Sequence, residues 1–171
     1  MGIELVFPSS RYRESYLDAL VEYRAEGRVP SHVNLIETES FDAFVAVVRR
    51  LEDPANVPPE FVQQTTFWLV EGDTYLGRTS IRHTLNDSLL FEGGNIGYDI
   101  RPSARGRGLG TRQLVLALAK AREIGLTRVL LTCDDANVRS ARVIEANGGV
   151  LQDTVPVPGT DRTNRRYWIE L

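Results

Sequence analysis

Positions 100–111, IRPSARGRGLGT, hold the densest chemistry in the chain. Gly106, Gly108 and Gly110 are interleaved with Arg105 and Arg107. Glycine carries no Cβ, so the backbone can bend sharply there and present bare amides. A segment of helical apolar pattern starts at Leu109, so the free N–H groups of a helix's first turn would face that bend. A helix N-terminus carries roughly half a positive charge and suits a phosphate. The two guanidiniums add full charges and forked donors. The chemistry available is the cradling of a pyrophosphate. A glycine turn that merely links strand to helix is the plainer reading, and the interleaved arginines favour anion binding over it. No Lys-Ser/Thr pair follows the last glycine, so this is not a Walker-type phosphate loop. The glycine spacing also differs from that of the dinucleotide-binding fingerprint.

Other residues could move protons. His83 ends an extended run, is one of two histidines, and has the intrinsic pKa for the task. Glu92 precedes Gly93-Gly94, where a carboxylate could act as a base through water. Tyr98 and Tyr167 lie in extended runs and could donate a proton, although core tyrosines are common. Asn95 offers an amide that could orient water or a substrate. Cys133 ends an apolar run and reads as a buried filler rather than a nucleophile. No His/Cys/Asp group has metal-ligand spacing, so no metal is expected. Arg162, Arg165 and Arg166 read as a solvated hairpin face; contact with an acidic group is the sharper alternative.

The elements that must position these residues are legible from periodicity. Ile3 to Phe7 reads as a strand ended by Pro8. A helix follows a cap at Ser9 or Ser10, with Tyr16, Leu17, Leu20, Val21 and Arg24 on one face and Gly27 as its stop. Ser40 caps a second helix whose face is Phe41, Phe44, Val45, Val48 and Leu51. Three prolines within 54–59 predict a loop. Runs 65–70 and 74–82 form a hairpin turning at Gly72. A polar loop surrounds Asn86-Asp87-Ser88, and 93–100 is a strand interrupted by glycines. A long, largely buried helix runs from Gly108 to Gly125. Residues 128–133 form a doubly covered central strand. A helix spans about 138–146, and two closing strands follow. The expectation is an α/β (mixed α+β) domain over 1–171, built around one mixed, largely antiparallel sheet with about four helices.

RGRGLG at 105–110 resembles the R-x-x-G-x-G signature of the GCN5-related N-acetyltransferases. DDANVRSARVIEANGG at 134–149 resembles that family's second segment, in the right order and separation. The resemblance implies an enzyme that moves an acetyl group from acetyl-CoA to a primary amine by direct attack in a ternary complex. It implies that backbone amides of Arg105, Gly106, Arg107, Gly108, Leu109, Gly110 and Thr111 hold the CoA pyrophosphate. It implies a strand ending at Tyr98, Asp99 and Ile100 that pairs with the pantetheine arm and splays away from 128–133. Asn137 and Ser140 would lie beside the cofactor. Many members place a tyrosine seven residues after the motif asparagine as proton donor; here Ile144 stands there and cannot donate. Hence Tyr98 and Tyr167 are the substitute acids, and Glu92 and His83 the candidate bases. The missing tyrosine also supports a second reading, a catalytically silent CoA-binding sensor.

Composition narrows the partners. The formal net charge is −3, which speaks against nucleic acid. One cysteine allows no internal disulfide and suits a reducing compartment. No basic apolar leader and no membrane-length apolar run is seen, so a cytoplasmic place is expected. The acceptor is expected to be a small-molecule or peptide amine. A homodimer through the closing strands stays open.

Overall fold

The computed structural model describes residues 2–171. Its strands are β1 (Ile3–Val6), β2 (Gln64–Glu71), β3 (Thr74–Arg82), β4 (Ile96–Ile100), β5 (Arg128–Asp134), β6 (Val150–Pro156) and β7 (Thr163–Glu170). Its helices are α1 (Arg13–Ala25), α2 (Asn34–Thr38), α3 (Phe41–Arg49), α4 (Asp87–Phe91), α5 (Leu109–Ile124) and α6 (Val138–Glu145). The four longer helices are those expected. The single-turn α2 and α4 are additions, and α4 replaces the polar loop because Asn86 caps it, accepting from the Leu89 amide.

Thr65 to Val70 are all buried, as a strand covered on both faces requires. Gly72, at φ 59°, makes the β2–β3 turn. Helix α1 is rotated relative to the expected face. It buries Tyr16, Ala19, Leu20 and Tyr23, whereas Val21 is 67% exposed. The tyrosines win because their area outweighs that of valine. Ser40 caps α3 as expected, accepting from the Ala43 amide. Gly125, left-handed at φ 99°, ends α5.

The strands do not make one mixed sheet. They form two, ordered β1-β2-β3-β4 and β5-β7-β6, and every ladder is antiparallel. Asn95 joins them. Its amide donates to the Leu130 carbonyl (2.7 Å), and its side-chain oxygen accepts from the Leu130 amide (2.8 Å). Its side-chain nitrogen donates to the Arg82 carbonyl (3.2 Å). Gly94 makes the approach possible, since a Cβ there would lie 2.3 Å from the Leu130 oxygen. Beyond this junction β4 pairs with β3 alone, so its other edge is open. Asn95 is therefore a structural clip, and its amide, which could have oriented water or a substrate, is taken up by Leu130 and Arg82.

Two cores flank the sheets. One holds Leu114, Ala117, Ala121, Leu131 and Ile144, between α5, α6 and the strands. The other is aromatic, packing Tyr16, Tyr23 and Phe44 on Trp68 and Tyr75. Tyr16 stacks on Trp68 at 5.0 Å and 14°.

Asn95→Ala would strand the Leu130 amide and the Arg82 carbonyl. At roughly 1–3 kcal/mol for each unsatisfied buried group, the variant should lose about 2–6 kcal/mol in urea unfolding. A loss under about 0.5 kcal/mol would show that this side chain does not hold the junction.

Candidate active site

The glycine loop adopts the bend its sequence predicts. Gly106 and Gly108 sit at φ 78° and 73°. A Cβ at either would meet nothing within 4 Å, so glycine is required there by conformation and its backbone faces open space. Gly108 is the N-cap of the 16-residue α5 and supplies no side-chain cap. The amides of Leu109, Gly110 and Thr111 are thus the helix's unpaired donors, and the macrodipole adds to them. Gly110 departs from expectation. It lies within α5, where a Cβ would meet Val143 Cγ2 at 3.4 Å. It serves the close packing of α5 on α6 rather than the bend.

The Arg105 guanidinium forks onto Glu26 of α1 (2.7 and 2.9 Å), and its Nε donates to the Ile100 carbonyl. The side chain is thus engaged as a strut in this structure. Arg107 is exposed in the loop. Glu22, one turn before Glu26, pairs with Arg101 (2.7 Å) and accepts from the Ser103 amide (2.9 Å). Burial pushes the Glu22 carboxyl up, but the hydrogen bonds from Arg101 and Ser103 outweigh it and hold it below the ordinary carboxylate value. Helix α1 thereby fixes both ends of the segment leading into the glycine loop.

Between β4 and β5 lies the slot opened by the Asn95 junction. Tyr98 and Ile100 pack toward the α5–α6 core, and the Tyr98 hydroxyl meets Ser140 Oγ of α6 at 3.1 Å. Burial raises the Tyr98 pKa, partly offset by the Ser140 hydrogen bond, so the phenol stays protonated. Asn137 caps α6, accepting from the Ser140 amide (3.1 Å), and so fixes Ser140. Cys133 is buried at the end of β5, and burial raises its thiol pKa too, as befits a filler. Ile144 is fully buried, and a Cβ on Gly149 would clash with it. The usual tyrosine position is here occupied by core packing.

The other candidates lie elsewhere. His83 Nε2 is 2.8 Å from Thr65 Oγ1 at the far end of β3, and burial lowers its pKa. Glu92 pairs with Arg162 of the β6–β7 hairpin at 2.7 Å. Tyr167 is fully buried and donates to Glu145 (2.9 Å). Arg165 and Arg166 are held by Asp135 and Asp153. None of these is brought to the Tyr98–Ser140 pair by a direct contact.

Sequence reading missed a cavity. On the opposite face of the sheet from Tyr98, Asp99 accepts from the Tyr23 hydroxyl (2.8 Å) beside Tyr16, Trp68, Tyr75 and Arg78. The cavity measures about 220 Å³. The signal was present in the sequence as Tyr16 and Tyr23, seven residues apart on one helix face. Among the described residues there is no metal-ligating cluster and no helix long and apolar enough to cross a membrane.

The model of the acetyltransferase (GNAT) domain family matches residues 11–150. No curated protein matches the chain in sequence. Several solved structures share the fold. One is the microcin C7 self-immunity acetyltransferase MccE in complex with acetyl-CoA and AMP. It has 15% identity and a TM-score of 0.71, over 99% of this chain and 92% of that one. Another is yncA of Salmonella typhimurium with its cofactor acetyl-CoA, at 14% identity and a TM-score of 0.65, over 100% and 95% of the two chains. A third is the Salmonella typhimurium acetyltransferase that modifies the N-terminal serine of ribosomal protein L7/L12. It has 14% identity and a TM-score of 0.67, over 99% and 95%. At these identities the neighbours show the fold.

The Glu22 carboxyl has a lowered pKa, so its contribution to stability is complete above the unfolded value of 4.5. It should be lost as the pH falls through the lower folded value. Glu22→Gln should therefore lose stability at pH 7 but converge on the wild type in acid, as followed by urea midpoints across pH. Parallel curves would show that this carboxylate carries no pH-dependent stability.

Proposed function

The chain belongs to the GNAT acetyltransferases, and from that premise we propose that it transfers the acetyl group of acetyl-CoA to a primary amine by direct attack in a ternary complex, residues 1–171 acting as one domain. It is an enzyme of the acyltransferase class, and acetyl-CoA is its cosubstrate. The observation that carries the reading is the joint placement of two features. A bare-amide bend at an uncapped helix N-terminus adjoins a slot where two sheets part. A diphosphate fits the first, and an extended chain with its own amide groups fits the second.

The amides from Gly106 to Thr111 bind the diphosphate, and Arg107 adds charge from the rim. The open edge of β4, at Tyr98, Asp99 and Ile100, pairs with the pantetheine amides. When bound, acetyl-CoA supplies the activated thioester carbonyl. The Tyr98 hydroxyl, oriented by Ser140, gives its proton to the departing sulfur and is the group that serves in place of the absent tyrosine at Ile144. Its raised pKa suits an acid that must arrive protonated. His83, Glu92 and Tyr167 keep structural roles in this reading, because each is held by a partner away from the slot. A catalytically silent sensor is not favoured, since family membership and a hydroxyl within the slot both speak for turnover.

Calorimetry with acetyl-CoA tests the reading. The wild type should bind, and Arg107→Ala should weaken binding by about 1–3 kcal/mol, the size of a charge-assisted bond. Tyr98→Phe should keep the affinity and lower kcat by roughly 10–100-fold, measured as CoA thiol release with a free amine that the wild type acetylates. Folded protein that ignores acetyl-CoA would sink the proposal. An unchanged kcat in Tyr98→Phe would remove the acid role alone.

A further inference from the structure

The aromatic cavity lies on the α1 face of the sheet, away from the Tyr98 side chain. Its floor comes from Trp68 of β2, Tyr75 and Arg78 of β3 and Asp99 of β4. Tyr16 and Phe44 close it from α1 and α3. Trp68, Tyr16 and Phe44 are each under 5% exposed, and Tyr16 lies parallel to Trp68. The rings cover one another and leave a rigid aromatic back wall with little open surface, which suits a small body beside the polar groups at the mouth.

Charge gives the cavity its selectivity. Asp99 uses Oδ1 to accept from Tyr23. Arg78 is its direct partner across the β3–β4 ladder, and Arg28 reaches the rim, stacked over the Tyr23 ring at 5.3 Å. Both signs act on the interior: the titration of Tyr16 is lowered by Arg78 and raised by Asp99, under a larger effect of burial. A simple amine would meet Asp99 and also two guanidiniums. A simple carboxylate would meet the guanidiniums and also Asp99. A molecule carrying both charges leaves neither sign unmatched.

We infer that this cavity binds the acceptor, and that the acceptor is a small zwitterion of amino-acid type: its ammonium at Asp99, its anionic group at Arg78 and Arg28, and its apolar body on Trp68 and Tyr16. The inference rests on the acetyl-transfer reading for the fate of the amine. Asp99 stands on β4, the strand bordering the slot, so an amine held there lies beside the strand edge assigned to the thioester arm. The ammonium loses one proton to water, and its nitrogen forms the N–C bond as the C–S bond breaks. The electron pair leaves with sulfur, and the second nitrogen proton is balanced by the one that returns to the thiol. The products are an N-acetyl zwitterion, now an anion, free CoA thiol and one proton.

The test reads Trp68 directly. Trp68 and Trp168 are the two tryptophans, so Trp168→Phe leaves Trp68 as the only indole. The probes are L-phenylalanine and L-leucine, their decarboxylated forms 2-phenylethylamine and 3-methylbutylamine, and the deaminated 3-phenylpropionate. One of the two amino acids should shift Trp68 emission saturably, at least tenfold tighter than its one-charge counterparts. Asp99→Asn should weaken that amino acid at least tenfold and spare 3-phenylpropionate. Arg78→Gln should weaken it comparably and spare the amine. With acetyl-CoA present, mass spectrometry should show the N-acetyl amino acid. Equal binding of amine and amino acid, or no response to either amino acid, overturns the inference. So does binding without acetylation in protein that calorimetry shows to bind acetyl-CoA. Amino-acid binding by protein that ignores acetyl-CoA would instead uphold the cavity's specificity and overturn the transfer reading, so the two failures are distinguishable.

Discussion

Everything proposed for this chain depends on two sheets being joined over a short junction, where Asn95 bonds both Leu130 backbone groups and the Gly93 amide donates to Thr132 Oγ1 (2.8 Å). A continuous ladder between β4 and β5 would satisfy the backbone of both strands and leave nothing for a ligand to pair with. Complete separation would let the sheets drift and lose any fixed slot. Asn95 gives the intermediate solution. Its main chain and side chain together satisfy both Leu130 backbone groups and the Arg82 carbonyl. An asparagine amide copies a peptide unit, so one residue does the work of a short stretch of ladder. Gly94 is the steric condition for that approach. Past this point β4 turns its open edge to the slot, and the glycine loop follows at its end.

Helix α1 extends the same logic to the other face. Its buried stripe supplies Tyr16 and Tyr23 to the aromatic core, while Glu22 and Glu26 reach Arg101 and Arg105 across the segment that leads to the bend. Glu22 and Glu26 are i, i+4 neighbours, so one helix edge grips two points, Arg101 and Arg105, four positions apart in the chain. The partly exposed Glu26–Arg105 pair contributes about 0–1 kcal/mol on its own, whereas the more buried Glu22–Arg101 pair carries the pH-dependent stability. Both also have a positional value: they tether the segment that leads to the glycine loop. The helix that lines the cavity with Tyr16 and Tyr23 therefore also contacts the segment leading into the glycine loop.

Much of this was legible in the sequence, and the failures have physical causes. The hairpin, the long helix, its two glycine ends and the bend at Gly106 and Gly108 follow from local chemistry, and local chemistry is what a sequence displays. The Arg105 ion pair was not legible, because a glycine loop with two arginines looks locally like an anion site alone. Glu26, seventy-nine positions away, captures one of them. Gly110 was misread for a similar reason, because Val143 belongs to a different helix. The α1 face was rotated because Leu17 and Val21 satisfy the same period as the tyrosines, and only the tertiary partner, a stacked Trp68, selects between them. The parting of β4 from 128–133 is the splay that the resemblance implies, but neither Asn95 nor Gly94 announces in the sequence that it is complete enough to leave two sheets. Only contact with Leu130 makes them a junction.

The arrangement on β4 shows how little sequence is needed to bring two chemistries together. A strand alternates its side chains between faces. Tyr98 goes to the α5–α6 side and finds Ser140; Asp99, the next residue, goes to the α1 side and finds Tyr23. The backbone between them faces the slot with no ladder partner. A proton donor, a carboxylate and a row of backbone groups thus meet within two residues, without any loop having to carry them. A one-residue slip in the β3–β4 register would exchange the two side chains between faces and abolish both placements at once. Gly77 is the steric condition for the observed register, since a Cβ there would lie 2.2 Å from the Asp99 carbonyl oxygen. The register of two strands, permitted by a missing methyl group, therefore decides which face each of these groups serves.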